Sequence, residues 1–280
     1  MKLQNFIKEL YKARIRALAL ISKKRAGDTA FRIFCTPIGK GNYTLTPLLR
    51  SAGQLSLQFG QYHLKGYQWN KGAGRKLLIA HGFRSHTQRF EHLVPLLIEK
   101  GYEVVAFDAP AHGLSSGKQI NAIDYTQLVS VLAHLYGPFD AYIGHSFGGL
   151  AVTLAVSELP QPGPVKIVLF APASDTVGLA ATFLKQMEIT DPEVHRHFYN
   201  NVIRLSGKDL GWFTIRRCLP ALNGAILWIH DQEDRITPIQ EALEIQRLAP
   251  PNIRFIFTRG LGHSKIYRDT AVLKEVAAFL

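Results

Sequence analysis

The chain has 280 residues, 47% of them hydrophobic and 19% charged, so it can bury the core of one large domain. This composition excludes intrinsic disorder, and no apolar stretch reaches the roughly 18 residues that a membrane-spanning helix needs. The formal net charge is +12, but residues 1–50 hold 11 basic residues against two acidic ones, which leaves +3 for the other 230 residues.

The N-terminal segment is expected to form one amphipathic helix. Apolar residues recur at helical spacing over residues 3–22, with basic residues mostly between them, and the helix should end near Gly27. A solvated basic face is the simplest interpretation of this charge. We expect no nucleic-acid partner, and a weak contact with an anionic membrane through residues 1–27 stays open.

Signal and cysteine patterns favour a reducing compartment. The longest apolar run near the N-terminus, Ala17–Ile21, is shorter than the apolar region of a secretory signal. The two cysteines, Cys35 and Cys218, lie 183 positions apart and form neither a disulfide framework nor a metal motif. The predicted location is the cytoplasm.

From residue 54 onward the sequence alternates strand and helix patterns. Residues 54–60 and 62–69 alternate apolar and polar side chains, as half-buried paired strands do. Six short apolar runs follow, each typical of a strand covered on both faces: 76–80, 103–107, 141–143, 165–170, 225–229 and 253–257. The alternation predicts an α/β fold with a doubly wound, mostly parallel sheet.

Two helices have clear terminal signals. Residues 121–136 place apolar side chains on one face, with Asn121 as a candidate N-cap and Gly137 as a stop. A second helix is predicted to open at Thr237, because Pro238 and Gln240 then occupy the first and third helical positions of a capping box.

Residues 173–222 interrupt the alternation with helical and aromatic sequence between two predicted strands. We interpret this segment as a cap or lid insertion. The predicted organisation is an N-terminal basic helix and arm over residues 1–53, followed by one domain over residues 54–280.

The sharpest local signal is a G-x-S-x-G sequence centred on Ser146, between a predicted strand and a predicted helix. A sharp strand-to-helix turn needs glycines, and it lifts the serine oxygen above the sheet. The helix N-terminus beneath the serine favours developing negative charge. Ser146 is therefore the candidate nucleophile.

A serine nucleophile needs a base, and the base needs a carboxylate to orient it. The candidate base is His263, which follows the last predicted strand between flexible Gly-rich residues. The favoured acid is Asp234, in the loop before the predicted helix at Thr237. Three other acidic residues stay open for the same role: Asp231, Glu233 and Asp175.

Main-chain donors are expected to form an oxyanion hole. One is the N–H of Phe147, directly after the nucleophile. The other is the N–H of Phe83, in the loop after the third strand, where Gly82 permits a turn. The order Ser146, Asp234, His263 along the chain is that of an α/β-hydrolase triad.

Five segments in this order resemble the signatures of the α/β-hydrolase family: 81–83, 108–115, 144–149, Asp234 before Ile-Thr-Pro, and 262–263. The resemblance covers about residues 54–280. It implies an eight-stranded sheet, a Ser nucleophile, a His base with an acid partner, and a lid of variable length. Ala111 departs from the pattern, because relatives often carry Gly there.

No metal or cofactor motif accompanies these residues. His195 and His197 cannot share one helix face, no His-Glu-x-x-His sequence occurs, and no phosphate-cradling glycine loop is visible. We therefore expect neither a metal nor a cofactor.

The residues and the resemblance together predict a serine hydrolase of small, mostly apolar carboxylic esters or thioesters that works through an acyl-enzyme on Ser146. Two alternatives stay open. One is a carbon–carbon bond hydrolase or a lactonase with the same triad, and the other is a non-catalytic ligand-binding protein on the same scaffold.

Overall fold

The computed structural model describes residues 2–38, 43, 45–160, 163–248 and 250–280. Its centre is one eight-stranded sheet in the order β1-β2-β4-β3-β5-β6-β7-β8. The strands are β1 (Gly53–Phe59), β2 (Tyr62–Trp69), β3 (Arg75–Ala80), β4 (Tyr102–Phe107), β5 (Ala141–His145), β6 (Lys166–Phe170), β7 (Ile226–Asp231) and β8 (Ile253–Thr258). Strand β2 pairs antiparallel with β1 and β4, and all other pairs are parallel. The predicted fold class is confirmed.

Helices cover both faces of the sheet. They are α1 (Lys2–Ile21), α2 (Lys23–Phe34), α3 (Pro47–Ser51), α4 (Val94–Glu99), α5 (Ala122–Tyr136), α6 (Phe147–Glu158), α7 (Thr176–Gln186), α8 (Pro192–Ser206), α9 (Ile215–Cys218), α10 (Gln240–Arg247), α11 (Gly262–Lys265) and α12 (Thr270–Phe279). In the described ranges, none of them is both long and apolar enough to cross a membrane.

The apolar strand runs reflect this double coverage. Every residue of β4 and β5 is buried, whereas the edge strand β1 is exposed or half-buried throughout. Leu78 packs in the core on the face of α5 and α6, and its neighbour Leu77 packs in the opposite core with α4 and α12. Successive side chains of one strand therefore pack in two different cores, which explains why these strands lack a polar face.

The N-terminal segment forms two helices, so the expectation of one helix ending near Gly27 is wrong. Helix α1 ends at Ile21, and Ser22 adopts an extended conformation whose side chain accepts a hydrogen bond from Arg25 N–H. Gly27 instead lies inside α2, where a Cβ atom would come within 2.6 Å of His197 Cβ and 2.7 Å of the Val194 carbonyl oxygen. The glycine serves close packing of α2 against α8, not helix termination.

The helices between β6 and β7 pack on this N-terminal pair. Phe31 contacts the Phe198 ring edge-on at 5.6 Å, and Phe34 contacts both Phe198 and Phe183. Aromatic residues that suggested a cap in the sequence thus pack against α2. The division at residue 53 stays a prediction.

Replacing Gly27 with Leu should loosen α2 from α8, because the new side chain meets main-chain atoms that cannot rotate away. We expect the free energy of unfolding to fall by about 2 kcal/mol, as overpacking usually costs. Urea unfolding measures this change. Gly74→Leu is the matched control, since nothing lies within 4 Å of a Cβ atom at that glycine; an equal loss in both variants would contradict the packing role.

Candidate active site

Ser146 lies on a strained turn between β5 and α6. Its φ is 52° and its ψ is −120°, a conformation that residues other than glycine rarely adopt. The main chain is held there on both sides, since Ser146 N–H donates to the Phe170 carbonyl and Ala173 N–H donates to the Ser146 carbonyl. The side chain therefore stands at the N-terminus of a twelve-residue helix.

Glycines make this turn possible. A Cβ atom on Gly144 would lie 2.5 Å from Gly149 Cα, and one on Gly148 would lie 2.3 Å from the Ala80 carbonyl oxygen. These contacts are with main chain, so a side chain could be accommodated only by moving a strand or the helix. The G-x-S-x-G sequence is thus required sterically on both sides of the serine.

The structure brings His263 and Asp234 into contact. His263 Nδ1 lies 2.7 Å from Asp234 Oδ2, and the carboxylate is fully buried. Because a carboxylate oxygen only accepts, the imidazole carries its proton on Nδ1 and leaves Nε2 free to accept another. Burial raises the pKa of Asp234, but the hydrogen bond and charge of His263 outweigh it and hold that pKa below its ordinary value.

The three competing acids have other partners. Asp231 Oδ2 accepts from Thr258 Oγ1 and Leu261 N–H, which ties the end of β7 to the loop before His263. Glu233 is exposed and pairs with Arg259, and Asp175 caps α7 through two main-chain N–H groups. Of the four candidate acids, only Asp234 contacts the His263 imidazole.

Thr237 has a different role from the predicted helix cap. Helix α10 begins at Gln240, and no side chain caps it, so the predicted capping box is wrong. Thr237 Oγ1 instead lies 3.0 Å from Asp234 Oδ2, 3.2 Å from the Ala171 carbonyl and 3.2 Å from His263 Nδ1. The Thr237 hydroxyl donates to the Asp234 carboxylate and so helps to hold it beside the His263 imidazole.

His230 supports the same loop and was not singled out by the sequence. Its Nε2 donates to the Thr237 carbonyl at 2.7 Å, and its Nδ1 accepts from Trp228 Nε1. Burial lowers the pKa of His230, so the ring stays neutral and keeps both hydrogen bonds. The position just after an apolar strand run was the available signal.

His145 links His263 to the turn that carries Ser146. Its Nε2 donates to the His263 carbonyl at 2.9 Å, and the two rings lie 4.7 Å apart. Within the described residues, Ser146 Oγ makes no hydrogen bond to His263 Nε2. Such bonds are often long without substrate and tighten on binding.

The loop after β3 lies against the serine. A Cβ atom on Gly82 would be 3.0 Å from Ser146 Cβ. In the described part of the chain, the main-chain N–H groups of Phe83 and Phe147 have no acceptor. The two phenyl rings contact each other edge-on at 5.9 Å. The arrangement offers two free donors with an apolar wall beside them.

Two buried histidines hold this loop. His81 Nδ1 donates to the Gly82 carbonyl and His81 Nε2 accepts from Ala109 N–H, while His112 Nε2 accepts from Arg84 N–H. Burial lowers the pKa of His81 to about 4, so the ring is neutral and both bonds persist at neutral pH. The neighbouring Ala111 has a φ of 69°, which explains why glycine suits that position.

The buried histidines predict a loss of stability in mild acid. Burial, with a smaller contribution from the nearby His263 charge, lowers the pKa of His145 to about 3, whereas the unfolded chain binds this proton near 6.5. Stability is therefore lost as pH falls below the unfolded value, by about 2 kcal/mol for this ring between about pH 7 and pH 5. Urea unfolding at the two pH values measures it. His145→Gln should flatten the dependence by that amount and the exposed His92→Gln should not; equal dependence in all three proteins would contradict the assignment.

No group of metal-ligating side chains occurs among the residues that the structure describes. A cavity of about 570 Å³ lies between α1, α2 and α8 and contains neither Ser146 nor His263. The chemistry available at the turn is that of a serine, an imidazole, a carboxylate and two main-chain donors.

This combination of fold and site is an α/β protein with a serine at a strained turn and, on a neighbouring loop, a histidine in contact with a buried aspartate. A model of the family described as Serine aminopeptidase, S33, matches residues 73–206, which include Phe83 and Ser146 and end before Asp234 and His263. An esterase from Pyrococcus furiosus superposes with a TM-score of 0.64 at 18% identity, covering 88% of this chain and 97% of that one.

Parts of the chain are also similar in sequence to known proteins. A serine hydrolase-like protein of Danio rerio is 29% identical over 158 residues, which cover 54% of this chain and 44% of that protein. A monoacylglycerol lipase of Mycolicibacterium smegmatis is 25% identical over 225 residues, covering 67% of this chain and 80% of that protein. The chain thus matches less than half the length of the first of these relatives. Its fold is that of the α/β hydrolases.

Proposed function

We propose that the chain is a serine hydrolase that cleaves small, mostly apolar carboxylic esters or thioesters through an acyl-enzyme on Ser146. The observation that carries the proposal is the 2.7 Å contact between His263 Nδ1 and Asp234 Oδ2. A hydrogen bond from His145 to the His263 carbonyl links this pair to the strained turn at Ser146.

In the acylation step, His263 Nε2 removes the Ser146 proton while Oγ bonds to the substrate carbonyl carbon. The main-chain N–H groups of Phe83 and Phe147 stabilise the oxyanion, and Asp234 stabilises the imidazolium. The carbon–oxygen or carbon–sulfur bond then breaks, and His263 gives its proton to the leaving alcohol or thiol.

In the deacylation step, His263 Nε2 removes a proton from water, and the hydroxide oxygen bonds to the acyl carbon. The tetrahedral intermediate collapses with cleavage of the bond to Ser146 Oγ, which recovers the proton. The products are the carboxylic acid and free enzyme. The balance needs no cofactor, since water is the only second reactant.

The substrate assignment rests on the surroundings of the serine. Phe83 and Phe147 lie beside it, and Phe147 also contacts the Tyr125 ring. An aromatic wall favours an apolar acyl group. The similarity to a protein named a monoacylglycerol lipase supports an ester rather than an amide.

A cytoplasmic location stays part of the proposal. Cys35 and Cys218 are both buried free thiols. Free thiols persist in reducing compartments, where disulfides are rare.

The test is intact-mass labelling with a fluorophosphonate, together with hydrolysis of short-chain p-nitrophenyl esters. One adduct per chain is expected on the parent, with turnover, and neither on Ser146→Ala. Ser130→Ala, at a half-buried position of α5 where the hydroxyl donates only to the Thr126 carbonyl, is the matched control and should label fully. If folded parent protein stays unlabelled and inert, the non-catalytic ligand-binding alternative replaces the proposal.

A further inference from the structure

Helix α1 carries an apolar stripe that faces away from the protein. The large apolar side chains of this stripe are Phe6, Leu10, Leu20 and Ile21, with exposed fractions of 60%, 54%, 90% and 76%. Eleven large apolar side chains are exposed in the described part of the chain, and four of them lie on this one helix. Such concentration marks an interaction surface, whereas single exposed apolar residues do not.

Helical spacing makes the stripe continuous. Phe6 and Leu10 are one turn apart, and the exposed Ala13 and Ala17 continue the same face to Leu20. We call Phe6, Leu10, Ala13, Ala17, Leu20 and Ile21 the outer stripe. The helix is about 30 Å long, so the stripe can lie flat on a surface along its whole length.

Contacts on the opposite face fix the rotation of α1. Ile15 is buried in the core, and Lys12 is buried with its ammonium group 2.7 Å from Glu188, just after α7. Arg16 also pairs with Glu188, and Lys23 at the start of α2 pairs with Asp191 at 2.6 Å. The outer stripe therefore cannot turn inward without breaking these pairs.

Basic side chains border the outer stripe. Arg14 is exposed and lies one turn beyond Leu10. Arg16, one turn before Leu20, is also exposed, although it pairs with Glu188, and the acidic Glu9 on the same edge pairs with Lys12. Residues 1–50 carry a net charge of +9, in contrast to +3 for the rest of the chain. An apolar face edged by Lys and Arg is the pattern of a helix that lies in the interface of an anionic bilayer.

We propose that α1 docks this protein on anionic phospholipid surfaces, with the outer stripe in the boundary between headgroups and acyl chains. A second copy of the chain fits the stripe less well, because it would bring two segments of charge +9 together. Nucleic acid would use the charge but leave the apolar side chains in water. The proposal does not depend on the chemistry at Ser146.

The test is flotation of the full chain with vesicles made of equal parts phosphatidylcholine and phosphatidylglycerol. The parent should float with these vesicles, less with phosphatidylcholine alone, and less as salt is raised. Leu10→Gln with Leu20→Gln should lower vesicle partitioning at least about tenfold, since two apolar side chains no longer enter the bilayer. Leu135→Gln with Leu248→Gln, which changes exposed leucines on other helices or their ends, should bind as the parent does.

Separate readouts distinguish this proposal from the hydrolase activity. Ser146→Ala should float as the parent does, and the Leu10/Leu20 variant should keep its melting temperature and its turnover of a soluble ester. Equal flotation of the parent and the Leu10/Leu20 variant overturns the proposal. The proposal is also overturned if the parent protein fails to bind anionic vesicles. One form of that result would be a parent that is a dimer in solution and becomes a monomer in the Leu10/Leu20 variant.

Discussion

Ser146→Gly should abolish ester turnover and yet make the protein more stable. The φ of 52° and ψ of −120° at this position suit glycine, which lacks the Cβ atom that creates the strain. Relief of such strain is worth about 1–3 kcal/mol, and the added entropy of glycine in the unfolded chain offsets up to about 1 kcal/mol. We expect a net gain of about 1 kcal/mol and a melting temperature a few degrees higher.

Ser146→Ala separates the backbone effect from the loss of the hydroxyl. It removes Oγ and keeps the strained Cβ, so its stability should stay near that of the parent. Ser130→Gly is the matched control at ordinary helical geometry in α5, and it should lose about 1 kcal/mol. Thermal unfolding and p-nitrophenyl ester hydrolysis are measured on all four proteins. A Ser146→Gly variant less stable than Ser146→Ala would show that the turn stores no strain.

The sheet could be predicted because its signal is local. Strands such as β4 and β5 are buried on both faces, so their sequences are mostly apolar, with Glu103 and His145 as buried polar members. The G-x-S-x-G turn is local in the same sense. The motif is contiguous in sequence, although the contact that requires Gly148 is with Ala80, at the end of a strand distant along the chain.

Two local predictions, the helix end at Gly27 and the helix cap at Thr237, are wrong because contacts outside the predicted helices decide these positions. Gly27 was interpreted as a helix terminus, and only the position of α8 shows that it is a packing residue. Thr237 has the sequence context of a helix cap, but its hydroxyl lies against the buried Asp234 carboxylate and the His263 imidazole and caps no helix. Local propensity is overridden wherever a buried charge needs hydrogen bonds.

Choosing among the acids required the same long-range information. Asp231, Glu233 and Asp234 lie within four residues, and sequence order alone favoured the last. The structure separates them by partner. Asp231 accepts from Leu261 N–H, Glu233 forms a surface ion pair with Arg259, and Asp234 contacts the His263 imidazole. The roles of His263 and Asp234 in turnover stay predictions until kinetics test them.

Asp234→Asn should lower kcat by about 10³–10⁴ with little change in KM. The carboxylate is expected to act in the transition state, where positive charge develops on His263, and to contribute little to substrate binding. Removing its charge takes away that stabilisation in a site where the carboxylate is fully buried. The low pKa of Asp234 keeps it ionised down to acidic pH, so the contribution is present throughout the neutral range.

The amide also reverses the proton position on the imidazole. Oδ1 of residue 234 accepts from the Ile236 and Thr237 N–H groups, which would hold the amide oxygen there and turn the NH₂ group toward His263. His263 Nδ1 must then accept, so Nε2 carries the proton and cannot take one from Ser146. The same substitution in a serine protease triad acts through this tautomer change.

Glu233→Gln is the matched control, one residue away on the same loop. Its side chain is exposed and pairs only with Arg259, so kcat should change less than about twofold. Steady-state kinetics on a p-nitrophenyl ester give kcat and KM separately, and urea unfolding verifies that both variants fold. If Asp234→Asn keeps most of its kcat, or if Glu233→Gln loses as much, then Asp234 is not the acid that orients the base. In that case the buried carboxylate serves only the loop that it shares with Thr237 and His230.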